Sequence, residues 1–207
     1  DADADADADG IADADDACPE TAGEVTLAGC PDADGDGVPD TTDACPIDAG
    51  AVALQGCPDQ DGDGLVDGED TCPGVSGPLE RGGCPRPPPG VLEALSGPLR
   101  DVVFAKKAAG LLPRSHAPLQ RVADLLATHR ALRVRVEAHT PSRGKRVALM
   151  KLSEARARAV VRYLIDLGVA PERLEPQGFG PDRPVATNRT AAGRALNERV
   201  ELVVLDP

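Results

Sequence analysis

The chain has 207 residues and a formal net charge of −13, with 41% apolar residues but only 1% aromatic ones. Phe104, Tyr163 and Phe179 are too few for the base-stacking surface of a nucleic-acid binder, and no run of 18 apolar residues offers a membrane-spanning helix. The charge is split: residues 1–85 carry 23 acidic side chains and one basic one, Arg81, whereas residues 86–207 carry 12 acidic and 21 basic ones. That asymmetry predicts two modules with different partners.

An acidic loop recurs three times at a period of 27 residues. The first copy places Asp5, Asp7, Asp9, Ile11, Asp13 and Asp16 at positions 1, 3, 5, 7, 9 and 12. The second places Asp32, Asp34, Asp36, Val38, Asp40 and Asp43 there, and the third Asp59, Asp61, Asp63, Leu65, Asp67 and Asp70. Glycine fills position 6 as Gly10, Gly37 and Gly64. This is the ligand frame of a calcium loop, in which position 7 offers only its carbonyl and so tolerates an apolar side chain. Aspartate at position 12 is shorter than the usual glutamate, which suits weak sites of about 10⁻⁴–10⁻³ M. For residues 1–8, where Asp1 and Asp3 extend the alternation, an acidic disordered spacer remains an equal alternative. No amphipathic helix flanks the loops, so a helix–loop–helix hand is not expected.

The pattern Asp-x-Asp-x-Asp-Gly-x-x-Asp-x-x-Asp-x-Cys-Pro resembles the thrombospondin type 3 repeat over residues 1–85. The resemblance implies an irregular, calcium-loaded segment with little regular secondary structure. All six cysteines lie here, as Cys18/Cys30, Cys45/Cys57 and Cys72/Cys84. Six cysteines allow 15 pairings. Pairing within each repeat uses every cysteine and is favoured over the shifted set, which strands Cys18 and Cys84. Each such loop adds on the order of 3 kcal/mol. Without a Cys-x-x-Cys spacing or a histidine in this half, zinc is disfavoured. Disulfides imply an oxidising compartment. The chain starts at Asp1 without a signal peptide, so a processed form or fragment is expected, with any barrel or anchor upstream.

Residues 86–90 follow as a proline-rich linker, Pro85 to Gly90 reading as a stiff, extended hinge. Residues 91–207 then suffice for one packed domain. Val102–Phe104 reads as a short strand. Ser115 is a candidate cap for a helix whose apolar face is Leu119, Val122, Leu125 and Leu126. Leu132, Val134 and Val136 alternate with polar residues as a half-buried strand. A helix is predicted from about Leu149 to Leu167, with Leu152, Ala155, Ala159 and Tyr163 on one face and Gly168 as its stop. Leu174–Gln177 forms a short strand, Thr190 caps a helix reaching Asn197, and Val200, Leu202 and Val204 mark a last strand. The order predicts an α/β sandwich, one mixed sheet with helices packed on it.

Four blocks in this half resemble the OmpA-like C-terminal domain: Val136 to Thr140, Leu152 to Ala157, Gly178 to Pro184, and Gly193 to Glu201. The resemblance covers roughly residues 99–205. It implies a non-catalytic periplasmic module that associates the outer membrane with peptidoglycan by gripping the diaminopimelate of the stem peptide. An outer-membrane attachment through a segment upstream of this chain is part of the same expectation. In the family an aspartate and an arginine clasp that zwitterion, since a guanidinium suits its carboxylate and a carboxylate its ammonium. Arg156 matches the arginine, and His139 and Thr140 are further candidates for the pocket. Pro141 stands where the aspartate belongs, Ala138 replaces a glycine and Leu149 an asparagine. The alternative is therefore a calcium-dependent structural or adhesive envelope protein whose clasp has decayed. No nucleophile elbow or phosphate-binding loop is present, and an enzyme is not expected.

Overall fold

The computed structural model describes residues 4–205, so the Asp1–Asp3 start of the alternation lies outside the described residues. Two compact units divide the chain, Asp1–Pro85 and Arg86–Pro207.

In the first unit the described residues contain no α-helix or multi-residue strand. Each repeat holds one short 3-10 turn, at Val25–Leu27, Val52–Leu54 and Leu79–Arg81. Disulfides close each repeat on itself: Cys18–Cys30, Cys45–Cys57 and Cys72–Cys84, with Cα atoms 5.0, 5.0 and 5.1 Å apart. Cys30, Cys57 and Cys84 are buried, and with Val38 they are the buried apolar residues of this unit. So small a core leaves covalent closure and backbone-to-carboxylate hydrogen bonds to hold the fold.

The second unit contains α1 (Pro89–Ala94), β1 (Gly97–Pro98), α2 (His116–Thr128), β2 (Val134–His139), α3 (Arg146–Asp166), β3 (Leu174–Gly180), α4 (Ala191–Asn197) and β4 (Val200–Val204). The sheet order is β1-β4-β2-β3. β2 runs parallel to β3, as a crossover through α3 requires, and antiparallel to β4. This is the predicted mixed sheet with helices. Val134, Val136, Ala138, Leu174, Val200 and Leu202 from the strands meet Leu119, Val122 and Leu126 of α2 and Ala157, Val160 and Leu164 of α3 in one core. No helix among the described residues is long and apolar enough to cross a membrane.

Several local expectations are corrected. Pro89 and Gly90, assigned to the hinge, form the first turn of α1, where proline's missing N–H costs nothing. Val102–Phe104 is not a strand: the place beside β4 belongs to Gly97 and Pro98, and Phe104 makes only an isolated bridge to Leu111. Ser115 does not cap α2, because its hydroxyl donates to the Val103 carbonyl and accepts from the Val103 amide, both at 2.8 Å. α3 starts three residues earlier than predicted, and its buried face is Ser153, Arg156, Ala157, Val160, Val161 and Leu164, whereas Ala155 is exposed. Hydrophobic periodicity misplaced that face since Ser153 and Arg156 are buried with their polar atoms satisfied. β3 continues to Gly180. Thr190 does cap α4, its hydroxyl accepting from Gly193 N at 3.0 Å.

α3 lies directly on β3 through a glycine. A Cβ on Gly178 would come within 2.2 Å of Glu154 N and 2.6 Å of its Cα, both backbone atoms that cannot step aside. Gly178→Ala is expected to lower the stability of the second unit by about 1–3 kcal/mol, read as a fall in its urea midpoint; an unchanged midpoint would contradict this packing.

Candidate functional site

Two places in the molecule concentrate chemistry. The first is the set of acidic loops. In every repeat the carboxylates of positions 1, 3 and 5 gather with ligand atoms within 4.8 Å of one another: Asp5, Asp7 and Asp9, then Asp32, Asp34 and Asp36, then Asp59, Asp61 and Asp63. Backbone amides hold them there. In the second loop Gly37 N donates to Asp32 Oδ2 at 2.9 Å, Asp36 N to Asp34 Oδ1 at 3.2 Å and Val38 N to Asp36 Oδ1 at 2.8 Å. The same bonds recur around Asp5, Asp7 and Asp9, and around Asp59, Asp61 and Asp63.

Position 12 is tied differently: Asp16, Asp43 and Asp70 each accept the amide of the following cysteine at 2.6 Å. The remaining oxygen of every position-3 and position-12 aspartate is buried with no protein partner. Desolvation, aided by the position-5 and position-12 carboxylates, raises the carboxyls of Asp7, Asp34 and Asp61 above the usual range, against the opposing pull of a backbone hydrogen bond. Six orphaned carboxylate oxygens inside crowded anionic loops fit a hard divalent cation. At position 9, Asp13, Asp40 and Asp67 each fix the amide of position 2 at 2.8 Å through Oδ1. The structure thus gathers positions 1, 3 and 5, with position 12 near enough to act on the carboxyl of position 3. Ile11, Val38 and Leu65 enter as the amides that orient position 5.

Two further glycines per repeat escaped the reading of the sequence. Gly23, Gly50 and Gly77 donate their amides to the position-5 carboxylates of Asp9, Asp36 and Asp63 at 3.1, 2.9 and 3.0 Å. A Cβ on Gly56, whose φ is +79°, would lie 2.1 Å from Asp43 Oδ1, and Gly29 and Gly83 stand the same way against Asp16 and Asp70. Their recurrence at the 27-residue period was the available signal.

The second place is a cavity of about 630 Å³ in the other unit. Phe104, Lys106 and Lys107 line it from the segment before α2, Thr140, Pro141 and Arg143 from the loop after β2, Leu149, Leu152 and Arg156 from α3, and Glu198 and Arg199 from the α4–β4 junction. Arg156, Thr140 and His139, the three candidates from the sequence, all reach its wall. Arg156 is only 3% exposed. Its Nε donates to the Ala108 carbonyl at 3.0 Å, its Nη2 lies 3.0 Å from Glu198 Oε1, and its guanidinium sits 4.8 Å from the Phe104 ring centroid. A buried guanidinium held on three sides cannot swing away, which suits it to a fixed anionic group. Thr140 Oγ1 and Arg199 Nη1 are buried without a partner. Glu198, which sequence reasoning did not single out, is distant in the chain from Arg156 and is brought beside it by the fold.

His139 is buried, with both ring nitrogens lacking a hydrogen-bond partner. It stacks on Phe179 with centroids 5.5 Å apart, and Nε2 lies 4.0 Å from Glu137 Oε2 and 3.9 Å from Glu201 Oε2. Burial, with the charges of Arg199 and Arg183 outweighing the opposing pull of Glu201, lowers its pKa from 6.5 to about 4. It is therefore neutral near pH 7. Since the unfolded chain takes up this proton first, stability falls as pH drops from 6.5 towards about 4. Denaturation midpoints at pH 7, 5.5 and 4.5 are expected to decline more steeply in the native chain than in His139→Gln; parallel slopes would refute this.

Comparison with known proteins places both units. Residues 103–198 match the model of the OmpA family, and residues 1–25 and 30–51 match the thrombospondin type 3 repeat. The third loop lies beyond those matches but repeats their geometry. Outer membrane porin F of Pseudomonas fluorescens is 42% identical over 104 residues, which is 50% of this chain and 32% of that protein. Peptidoglycan-binding protein ArfA of Mycobacterium tuberculosis is 38% identical over 103 residues, again 50% of this chain and 32% of the relative. This chain thus spans about a third of the length of either. The crystal structure of the peptidoglycan-associated lipoprotein from Burkholderia pseudomallei aligns with 50% of this chain and 87% of its own at 31% identity, with a TM-score of 0.48. The second unit thus carries an OmpA-family domain, and ahead of it stand thrombospondin type 3 repeats.

Proposed function

We propose that the protein associates the outer membrane with peptidoglycan, without catalysis, and that its first unit is a calcium-binding spacer. Its place is the outer membrane and periplasm, where its porin and lipoprotein relatives belong, and where three disulfides persist. The observation that carries the reading is the cavity around Arg156: a buried, immobilised guanidinium beside the unpartnered hydroxyl of Thr140. The partner on this reading is the diaminopimelate of a stem peptide, its carboxylate on Arg156. The printed names of two relatives, a peptidoglycan-binding protein and a peptidoglycan-associated lipoprotein, support it. The basic rim of Lys106, Lys107 and Arg143 suits an anionic wall polymer.

A second reading, a structural or adhesive envelope protein with a decayed clasp, is favoured by Pro141, which lines the cavity without a carboxylate. Sedimentation of the 207-residue chain with purified peptidoglycan separates the two. On the first reading the chain pellets, and Arg156→Ala weakens binding about ten- to a hundredfold, the worth of a lost charged hydrogen bond. A chain that stays in the supernatant supports the second.

In each loop Ca²⁺ would be held by the carboxylates of positions 1, 3, 5 and 12. Bound there, it would cancel the repulsion among groups whose spare oxygens have no partner in the protein. Titration calorimetry with Ca²⁺ is expected to show three weak sites, in the range of about 10⁻⁴–10⁻³ M, and Asp43→Asn should remove one. Absence of heat at millimolar Ca²⁺ would dismiss the spacer as a calcium binder.

A further inference from the structure

Glu198 holds the one carboxylate among the described residues lining the Arg156 cavity, against the cations of Lys106, Lys107, Arg114, Arg143 and Arg199. We propose that Glu198 is the acid that receives a ligand's ammonium group, making the cavity selective for a free amino-acid end, with ammonium and carboxylate on one carbon, over a plain carboxylate. This rests on the reading of the cavity as the peptidoglycan site.

Geometry gives the two halves of the pair different freedoms. Arg156 is fixed by the Ala108 carbonyl and the Phe104 ring, and its side chain is 4% exposed. The side chain of Glu198 is 51% exposed, and Arg156 at 3.0 Å is its ion-pair partner. Its backbone, by contrast, is anchored. Glu198 N donates to the Arg194 carbonyl at 3.0 Å. The adjoining Asn197 is buried and binds Val185 N, Ala186 N, the Ala186 carbonyl and Asn188 Oδ1 at 2.8–3.0 Å. Asn188 Oδ1 also accepts Ser142 N at 3.1 Å, which ties the same bridge to the residue after Pro141. A half-exposed carboxylate on an anchored backbone therefore stands on the wall where Pro141 offers none.

Charge accounting then selects the ligand. A plain carboxylate that takes Arg156 competes with Glu198 for the guanidinium and sets a second anion against it. A ligand with both charges replaces each half of the pair, its carboxylate on Arg156 and its ammonium on Glu198, and strands neither.

Calorimetry on the full chain tests this with meso-diaminopimelate and with pimelate, the same dicarboxylate without its ammonium groups. The native protein is expected to prefer diaminopimelate, and Glu198→Gln to weaken diaminopimelate about ten- to a hundredfold while leaving pimelate unweakened. Pro141→Asp in the Glu198→Gln background should restore the preference. A Glu198→Gln protein that keeps the preference, or binds both probes more tightly, overturns the inference and leaves the cavity reading standing, with Glu198 a mere plug on Arg156. A native protein that binds neither probe and does not pellet with peptidoglycan sinks both. Matching melting temperatures confirm that the variants are folded.

Discussion

Like charges held at contact distance are the constraint on which the first unit depends. Nothing in a unit with so few buried apolar residues would bring three aspartates within 4.8 Å of one another unless their oxygens were spoken for. Backbone amides claim both oxygens of the position-5 carboxylate, one from its own loop and one from a glycine fourteen residues on, and in the second and third loops both oxygens of position 1 as well, leaving one free oxygen at positions 3 and 12. What remains is a set of inward oxygens with no protein donor, which is a demand for positive charge. The second unit meets its own buried charge differently: Arg156 is neutralised within the fold by a carbonyl, an aromatic face and a carboxylate.

The two units also differ in how a glycine is used. In the repeats, glycines such as Gly56 leave room for a carboxylate beside the disulfide. In the second unit Gly178 lets a helix touch a strand, and its amide donates to Glu154 Oε2 at 2.9 Å. The Gly180 amide likewise donates to the Ser153 hydroxyl at 2.8 Å. Polar side chains thus fasten α3 to β3 at the end of the sheet where the cavity opens, and that fastening sets where Arg156 points.

Much of this was legible in the amino-acid order. The 27-residue period, the position-6 glycines and the paired cysteines are local features, and local geometry follows from them directly. Val134, Val136, Val200 and Leu202 announced their strands by alternation, and Thr190 its cap. Legibility failed where a residue's neighbour is remote in sequence. Ser115 reads as a helix cap until Val103 is found against it. The buried face of α3 is hidden because hydropathy cannot foresee that Ser153 and Arg156 find partners. Glu198 lies 42 positions from Arg156, and only the fold sets them 3.0 Å apart.

The amide that orients each position-5 carboxylate belongs to a residue inside the ring that its cystine closes: Gly23 between Cys18 and Cys30, Gly50 between Cys45 and Cys57, Gly77 between Cys72 and Cys84. Each cystine thus closes the ring that carries this amide, so cross-link and acidic cluster are built as one unit, and cutting the S–S bond would loosen the grip on the position-5 carboxylate.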